Sequence, residues 1–439
     1  MLDCVLRYLQ EELGPQQGLR GLGLAHAHAL FGALGNPQDG FRAVHVAGTA
    51  GKGSVSTFVT SLLRAHGFRV GTHLSPHVYS VLERFQVDGG PAAPELIEAE
   101  LTRIRSAVDA VERAGYGQPS FFEVTNAIAL RLFAGRVDYG VVETGVGGLL
   151  DSTNTMSRPD KLAVITAIGL DHQDLLGTTI AEIAHQKAGI LPLGGRAVAA
   201  RQSSSAVDDV LRAEAARRRC TLRLVGLERC SMSATSGSGG TALRLPRRLE
   251  LPLGLTGRHQ ADNAYLALRA VSALAARDGW SLDARAIRDG LRSATLPGRF
   301  QRRVLGRREV ILDGAHNAMK LEALVRTLRE MHPGSRMPWV LAFKRDKDLG
   351  AALRVVAPVA SVEVATAFST GGGDHPPDVS LAAERIADGA AECGVGSVVE
   401  EDPARSVARA AEMTEPGLPV VVTGSFHLLA AARAGTTAR

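Results

Sequence analysis

Gly48-Thr49-Ala50-Gly51-Lys52-Gly53-Ser54 decides how this chain is read. Before it, Ala43-Val44-His45-Val46-Ala47 predicts a buried strand; after it, Ser54 to Ala65 predicts a helix that stops near Gly67. Glycines let the backbone turn tightly and aim amides at phosphate oxygens. The helix N-terminus adds positive potential, and the lysine neutralises phosphate charge. A glycine cluster alone carries little weight, but Gly-Lys set between a strand and a helix points to a nucleotide phosphate. One detail departs from the usual phosphate loop: Gly53 follows the lysine, where Ser or Thr ordinarily offers a hydroxyl to magnesium. Either Ser54, one place late, shifts in, or another residue supplies that oxygen.

Outward from the loop the pattern repeats. Val70 to Leu74, Asp138-Tyr139-Gly140-Val141-Val142 and Leu162-Ala163-Val164-Ile165-Thr166 are further strand candidates, and Thr178 to Ile190 is a helix candidate. Two of the strands are expected to end in polar residues, at Glu143-Thr144 and Asp171-His172. Strands alternating with helices predict an α/β fold with a mostly parallel sheet covered on both faces, and ligands beyond the carboxyl ends of its strands. Leu30 to Pro37 closes an N-terminal helical region. The Ser- and Gly-rich run Ser231 to Gly240 predicts a loop, and Gln260 to Ala276 and Ala284 to Ala294 predict helices. After Leu296-Pro297-Gly298 the rhythm restarts with strand candidates at Val310, Trp339, Val362 and Val420. Two α/β domains are expected, 1–296 and 297–439.

Composition narrows the class. A chain of 439 residues with 45% hydrophobic and 22% charged residues fits a soluble globular protein. It contains no apolar run of membrane-spanning length, and Met1-Leu2-Asp3-Cys4 opens no secretory leader, so a cytoplasmic protein is expected. Cys4, Cys220, Cys230 and Cys393 have neither metal-finger nor redox spacing. The net charge of +5 permits an anionic ligand, but scattered basic residues and 4% aromatics do not argue for nucleic acid. Runs such as Arg217-Arg218-Arg219 read as solvated faces. Only six of the 50 basic residues are lysine, so a lysine here hints that an amine is needed.

Several polar residues are candidates for chemistry. Glu143, followed by Gly145-Val146-Gly147-Gly148, suits magnesium, which takes hard oxygen ligands. His172 is a poor first choice for magnesium and reads equally as a core or capping residue. Ser75 could supply the oxygen missing at Gly53, or be a plain turn residue before Pro76. Lys187 could be a solvated helix lysine, although its neighbours are mostly uncharged.

Taken in order, these residues resemble the folylpolyglutamate synthase/dihydrofolate synthase family of the Mur ligase superfamily. The matching stretches include His45-Val46-Ala47-Gly48-Thr49, Leu74-Ser75-Pro76-His77, Phe121-Phe122-Glu123, Thr153-Asn154 and Gln186-Lys187-Ala188-Gly189-Ile190. Further on come Asn263-Ala264, Pro297-Gly298-Arg299-Phe300, Asp313-Gly314-Ala315-His316-Asn317 and Asp346-Lys347-Asp348. The resemblance implies an ATP-dependent ligase that joins glutamate to a pterin or folate acid through an acyl phosphate, acting as a monomer, and it implies that the second domain is Rossmann-like. Thr49, Ala50, Gly51, Lys52, Gly53 and Ser54 would hold the triphosphate, and Asn263, Arg299 and Asp313 would contact the nucleotide. Ser75 and Glu143 would hold one Mg2+; His172 and a carbamylated Lys187 would help hold a second. His316 and Ser425 would lie near the incoming glutamate, with Lys52, Lys187 and His316 as the catalytic set. Ser120, Phe122, Glu123, Leu150, Asp151 and Ser152 would lie on the acceptor side.

Three departures from the family pattern stand out: Ala50 for the usual Asn, Thr144 and Val146 within the glycine stretch, and Leu149 before Leu150-Asp151, of which the last two flank the acceptor side and bear on the substrate. A paralogue acting on another carboxylate, a phosphate-loop kinase or switch, and an inactive homologue are the competing readings. Likewise Phe121-Phe122 could be core residues, and Asp151 a turn or helix cap.

Overall fold

The structure is a computed structural model, and it describes residues 8–9, 23–226, 232–234, 240–245, 249–369, 380–414, 417–433 and 436–438. Cys4, Cys230, the extreme N-terminus and most of the run 231–240 lie outside the described residues. Among the described residues the strands form three sheets. The first joins β1 (Arg42–Ala47), β2 (Val70–His73), β3 (Gln86–Val87), β4 (Gly90–Pro91), β5 (Tyr139–Glu143), β6 (Leu162–Ile165), β7 (Arg196–Ala200) and β8 (Thr221–Val225). Their order is β4-β3-β2-β5-β1-β6-β7-β8, antiparallel only at β2-β3-β4. A small antiparallel sheet follows, of β9 (Met232–Ala234), β10 (Thr241–Leu245) and β11 (Leu249–Leu253). The third sheet holds β12 (Gln301–Leu305), β13 (Arg308–Leu312), β14 (Met337–Leu341), β15 (Ala360–Ala365), β16 (Ser397–Val399), β17 (Val420–Thr423) and β18 (Thr437–Ala438). Its order is β16-β15-β14-β17-β13-β12-β18, and β13, β14, β15, β16 and β17 run parallel. The α/β class and the Mur ligase architecture expected from the sequence are both present. No described helix is long and apolar enough to cross a membrane.

The helices that place the site are α1 (Lys52–Ala65), α2 (Phe121–Phe133), α3 (Ile180–Ala188), α4 (Arg258–Asp278), α5 (Ala284–Ser293), α6 (Ala318–Met331) and α7 (Phe426–Ala432). Alternation along β1 assigns its two faces. Val44 and Val46 join Val55, Phe58, Val59 and Leu62 of α1 in one core, which α4 closes with Ala264, Ala267 and Val271. Val142 of β5 faces the opposite core with Phe121, Val124 and Ile128 of α2.

Three expectations are corrected. Asp171-His172 does not end a strand: β6 stops at Ile165, because the Ala167 carbonyl turns away to accept from the amides of Thr49 and Ala50. The run Ser231 to Gly240 is not all loop, since Met232–Ala234 pairs with β10. The helix expected over Thr178 to Ile190 is shorter, since Thr179 caps it with Glu182 and it ends at Ala188. Of the cysteines, Cys220 and Cys393 are free.

The approach of α5 to α1 sets where α1 points. A Cβ at Gly290 would lie 2.9 Å from both the Leu62 Cα and the Ser61 carbonyl oxygen, backbone atoms that cannot swing aside. Gly290→Ala is therefore expected to cost about 1–3 kcal/mol as an overpacking change. A lowered midpoint of thermal unfolding would register it, and an unchanged midpoint would mean the two helices are free to separate.

Candidate active site

The loop between β1 and α1 is pinned from three sides. Gly51, at φ +89°, is the residue before α1, and a Cβ there would strike Asn263 Oδ1 on α4. That contact brings Asn263 to the phosphate loop. Thr49 uses its hydroxyl to bridge the Gly169 carbonyl (2.9 Å) and amide (3.1 Å). Thr166 donates to the Ala50 carbonyl at 2.8 Å. Ala50 is thus held through its backbone, which needs no particular side chain at that position. Ser54 is buried on α1.

Gly53 lies beside Glu143. A Cβ at Gly53 would sit 3.4 Å from Glu143 Oε2. Glu143 is 4% exposed, accepts from the Ser75 amide at 3.1 Å, and lies 3.9 Å from the Lys52 ammonium. Burial pushes its carboxyl up, against the pull of Lys52 and the Ser75 amide. Gly53, Ser75, Glu143, Leu296 and Arg299 line one small cavity, so a single hollow touches both halves of the chain. Ser75 thus lines the same hollow as Gly53 and Glu143.

Arg299 lies over the Phe426 ring of α7 at 4.5 Å, next to Asp313 at the end of β13. Asp313 accepts from the amides of Phe300 (2.8 Å) and Ala315 (2.9 Å), and burial raises its carboxyl. His316 donates through Nδ1 to the Gly314 carbonyl (2.8 Å), which leaves Nε2 to accept from Lys320 at 2.8 Å. Burial holds this imidazole neutral. Ser425 is buried and caps α7 by accepting from the His427 amide at 3.2 Å.

The sequence reading missed one cluster. Asp171 faces Lys320 (3.3 Å), Lys347 (3.5 Å) and the Asn317 amide group (3.0 Å), which spans the gap between the first and third sheets. Despite burial, Lys320, His172 and Lys347 hold its carboxyl well below the usual range. Burial in turn lowers Lys320 to about 8. Lys187 is buried and donates to the Gly48 carbonyl at 3.0 Å; burial, with Lys52 nearby, lowers it to about 7. Four of the six lysines, Lys52, Lys187, Lys320 and Lys347, therefore flank this cleft. Their scarcity was the signal that could have found Lys320 and Lys347. His172 is exposed in a left-handed conformation (φ 52°), and no contact joins it to Lys187. Among the described residues no three His, Cys, Asp or Glu side chains gather as a metal cluster.

On the acceptor side Ser120 and Glu123 satisfy each other as the capping box of α2, the Ser120 amide reaching Glu123 at 2.7 Å. Phe121 is core, whereas Phe122 is only partly buried. Asp151 is a cap that also borders Phe122 across Gly145. It accepts from the amides of Thr153 (3.0 Å) and Val146 (2.9 Å), while a Cβ on Gly145 would meet both Phe122 and Asp151 Oδ2. Leu150 is partly buried, and Ser152 is buried and accepts from Asn126 at 3.3 Å. Leu149 packs its backbone against Gly189.

This cleft, a phosphate loop facing the ends of a second parallel sheet, is that of a ligase of Mur type. The profile described as "Mur ligase, glutamate ligase domain" matches residues 298–426. The dihydrofolate synthase/folylpolyglutamate synthase of Bacillus subtilis is 36% identical over 332 residues, covering 74% of this chain and 76% of that protein. The ADP complex of Mycobacterium tuberculosis folylpolyglutamate synthase superposes with a TM-score of 0.85 at 32% identity, over 98% of this chain and 97% of that one. E. coli FolC in complex with DHPP and ADP gives 0.80 at 29%, over 98% and 96%. The chain belongs to the dihydrofolate synthase/folylpolyglutamate synthase family.

The ion cluster at Asp171 makes a testable link across the cleft. Asp171→Asn leaves Lys320 without a counter-charge in contact and Lys347 with only the half-exposed Asp346. The expected loss is about 1–3 kcal/mol, between the surface and buried limits for ion pairs, together with a larger radius of gyration in solution scattering. Asp346→Asn, which touches only Lys347 and is half exposed, is expected to change neither.

Proposed function

We propose that the cleft joins L-glutamate to dihydropteroate, to reduced folates, or to both, with ATP converting the acceptor carboxylate to an acyl phosphate. The observation that carries this reading is the convergence of Lys52, Glu143, Lys187, Arg299, Asp313 and His316 on one cleft between two parallel sheets. The ADP and DHPP named in the two related structures support the nucleotide and the acceptor. Residues 1–296 form the ATP-binding domain and 297–439 the glutamate-ligase domain in this proposal. The match of the glutamate ligase profile to 298–426 supports that division.

Each group has a task in the chemistry. A carboxylate resists attack by an amine, and phosphorylation gives it a good leaving group. Thr49 to Ser54 cradle the triphosphate with backbone amides, while Lys52 spreads the charge of the phosphoryl group in transfer. Asn263, Arg299 and Asp313 hold the nucleotide across the cleft. Phe122 and Asp151, with Leu150 and Ser152 beside them and Ser120 and Glu123 setting the start of α2, orient the acceptor. His316 and Ser425 face the incoming glutamate, and its amine attacks the acyl phosphate in a closed cleft that excludes water.

The residues fit a magnesium ion at one position. Ser75 and Glu143 offer hard oxygens beside the hollow that Gly53 leaves. When bound, Mg2+ supplies charge stabilisation to the phosphoryl oxygens. A second ion at His172 and Lys187 fits only if Lys187 is carbamylated, because an amine offers magnesium no oxygen. Lowered to about 7, the Lys187 amine is neutral above that pH and protonated below it. Only the neutral form takes up carbon dioxide.

Two substitutions test the reading. Lys52→Ala is expected to lower ATP turnover roughly a hundredfold or more, the scale of a lost electrostatic group at such a site, with the fold intact by circular dichroism. Near-normal turnover would remove the loop from the chemistry. Lys187→Arg keeps the positive charge but cannot be carbamylated, and is expected to be inactive, whereas Lys187→Ala should regain activity with a short-chain carboxylic acid. An active arginine variant would overturn the carbamate. ATP turnover dependent on both glutamate and dihydropteroate or a reduced folate tests the substrate, and turnover only with an unrelated acid would replace it.

A further inference from the structure

The acceptor side of the first sheet carries polar groups deep beneath the cleft. Register places His73, Val142 and His45 side by side across β2, β5 and β1. Val142 faces the core of α2, so both histidines lie on that face, with Thr144 two residues further along. His45 and His73 are fully buried and Thr144 nearly so. His45 Nδ1, His73 Nε2, Thr144 Oγ1 and Asn126 Oδ1 are buried without a hydrogen-bond partner among the described residues. Buried polar groups left so are uncommon and call for a reason.

One of these groups is wired to the acceptor site. His45 Nε2 lies 2.8 Å from Thr153 Oγ1, and both are wholly buried. The Thr153 hydroxyl donates to Asp151 Oδ1, where the Thr153 amide also donates at 3.0 Å. A hydroxyl has one proton, and it goes to the carboxylate. Thr153 can then only accept from the imidazole, which fixes His45 as the Nε2–H tautomer and leaves Nδ1 bare. That accounts for the orphaned Nδ1. Burial, and Lys161 after it, keep the ring neutral, as the tautomer requires. The other oxygen, Asp151 Oδ2, takes the Val146 amide at 2.9 Å and borders the Phe122 ring over Gly145.

We propose that His45, acting through the Thr153 hydroxyl, is a positioning residue that fixes the Asp151 carboxylate for an acceptor ring carrying N–H donors. The relay saturates Oδ1 and leaves the remaining acceptor capacity of Oδ2, beside the Val146 amide, to the ligand, so acceptor affinity is set from beneath the sheet. The proposal rests on the reading that Asp151 meets the acceptor.

Steady-state ATP turnover by the full chain, with dihydropteroate as the varied substrate, tests it. Thr153→Val keeps the shape and removes the hydroxyl. The acceptor KM is expected to rise roughly ten- to hundredfold, the worth of a hydrogen bond to a charged group, with kcat and the KM for ATP little changed. Thr153→Ser restores the hydroxyl and is expected to return the acceptor KM to near the parent value. His45→Gln, whose amide can replace the Nε2–H, should likewise be mild, and His45→Leu severe. Asp151→Asn separates the two readings. If it leaves the acceptor KM unchanged, Asp151 does not meet the acceptor and the proposal falls with that reading. If it raises the acceptor KM while Thr153→Val and His45→Leu do not, the relay alone is wrong. Should Thr153→Val fail to fold, the contrast between His45→Gln and His45→Leu decides the matter, and equal KM values in the two overturn it.

Discussion

Residues 48–53 run too close to their neighbours to carry side chains at Gly48 and Gly51, and the rest of the site is arranged around that constraint. Gly48 is pressed on Thr166 and Gly51 on Asn263, while Gly53 lies in ordinary contact distance of Glu143. Each contact ties the loop to a different element: the chain after β6, α4, and the end of β5. A phosphate loop presents amides to a ligand only while its backbone path is fixed, and here the path is fixed by contacts that double as placements of site residues. Asn263 lies against the loop because Gly51 carries no side chain there.

Charge balance follows from the same closeness. The cleft gathers Lys52, Lys187, Lys320, Lys347 and Arg299, and a buried charge is stable only when paired or hydrogen-bonded. Glu143, Asp171 and Asp313 supply the counter-charges, and Lys187, which has none in contact, rests on the Gly48 carbonyl. That unpaired amine is the group whose ordinary charge is hardest to keep. Its environment therefore favours either the neutral amine or conversion to an anion, whereas a guanidinium would suit neither state.

Much of this was legible in the sequence. The strand-loop-helix at residues 42–65, the restart after Pro297 and the residues of both sheets at the cleft follow from apolar runs punctuated by glycine. What was not legible depends on contacts between distant segments. Lys320 reads as an ordinary helix lysine until α6 docks it against Asp171, 149 residues earlier. The mutual capping of Ser120 and Glu123 at the start of α2 shows only in the structure. The placement of His172 was not legible for a similar reason. Its segment leaves the sheet at Ile165 to hold the phosphate loop, so its side chain is not fixed at a strand end.

In the proposed function, the alternation of side chains along β1 and β5 keeps the two substrates apart until they react. Val44 and Val46 pack on α1 and, in register with Val46, Glu143 points to the same side, where the nucleotide loop begins. His45, Val142 and Thr144 point to the other side, beneath Phe122 and Asp151. One sheet thickness thus separates the groups that handle phosphate from those that would read the acceptor ring. The two sets can meet only beyond the carboxyl ends of the strands, where the side-chain alternation stops and glycine takes over at Gly48 and Gly145. A reaction between a carboxylate and a phosphoryl group is confined to that edge by the pleat itself. The third sheet then needs only to bring the amine to the same edge, with Gly314 to His316 and Ser425 at the ends of β13 and β17 facing it.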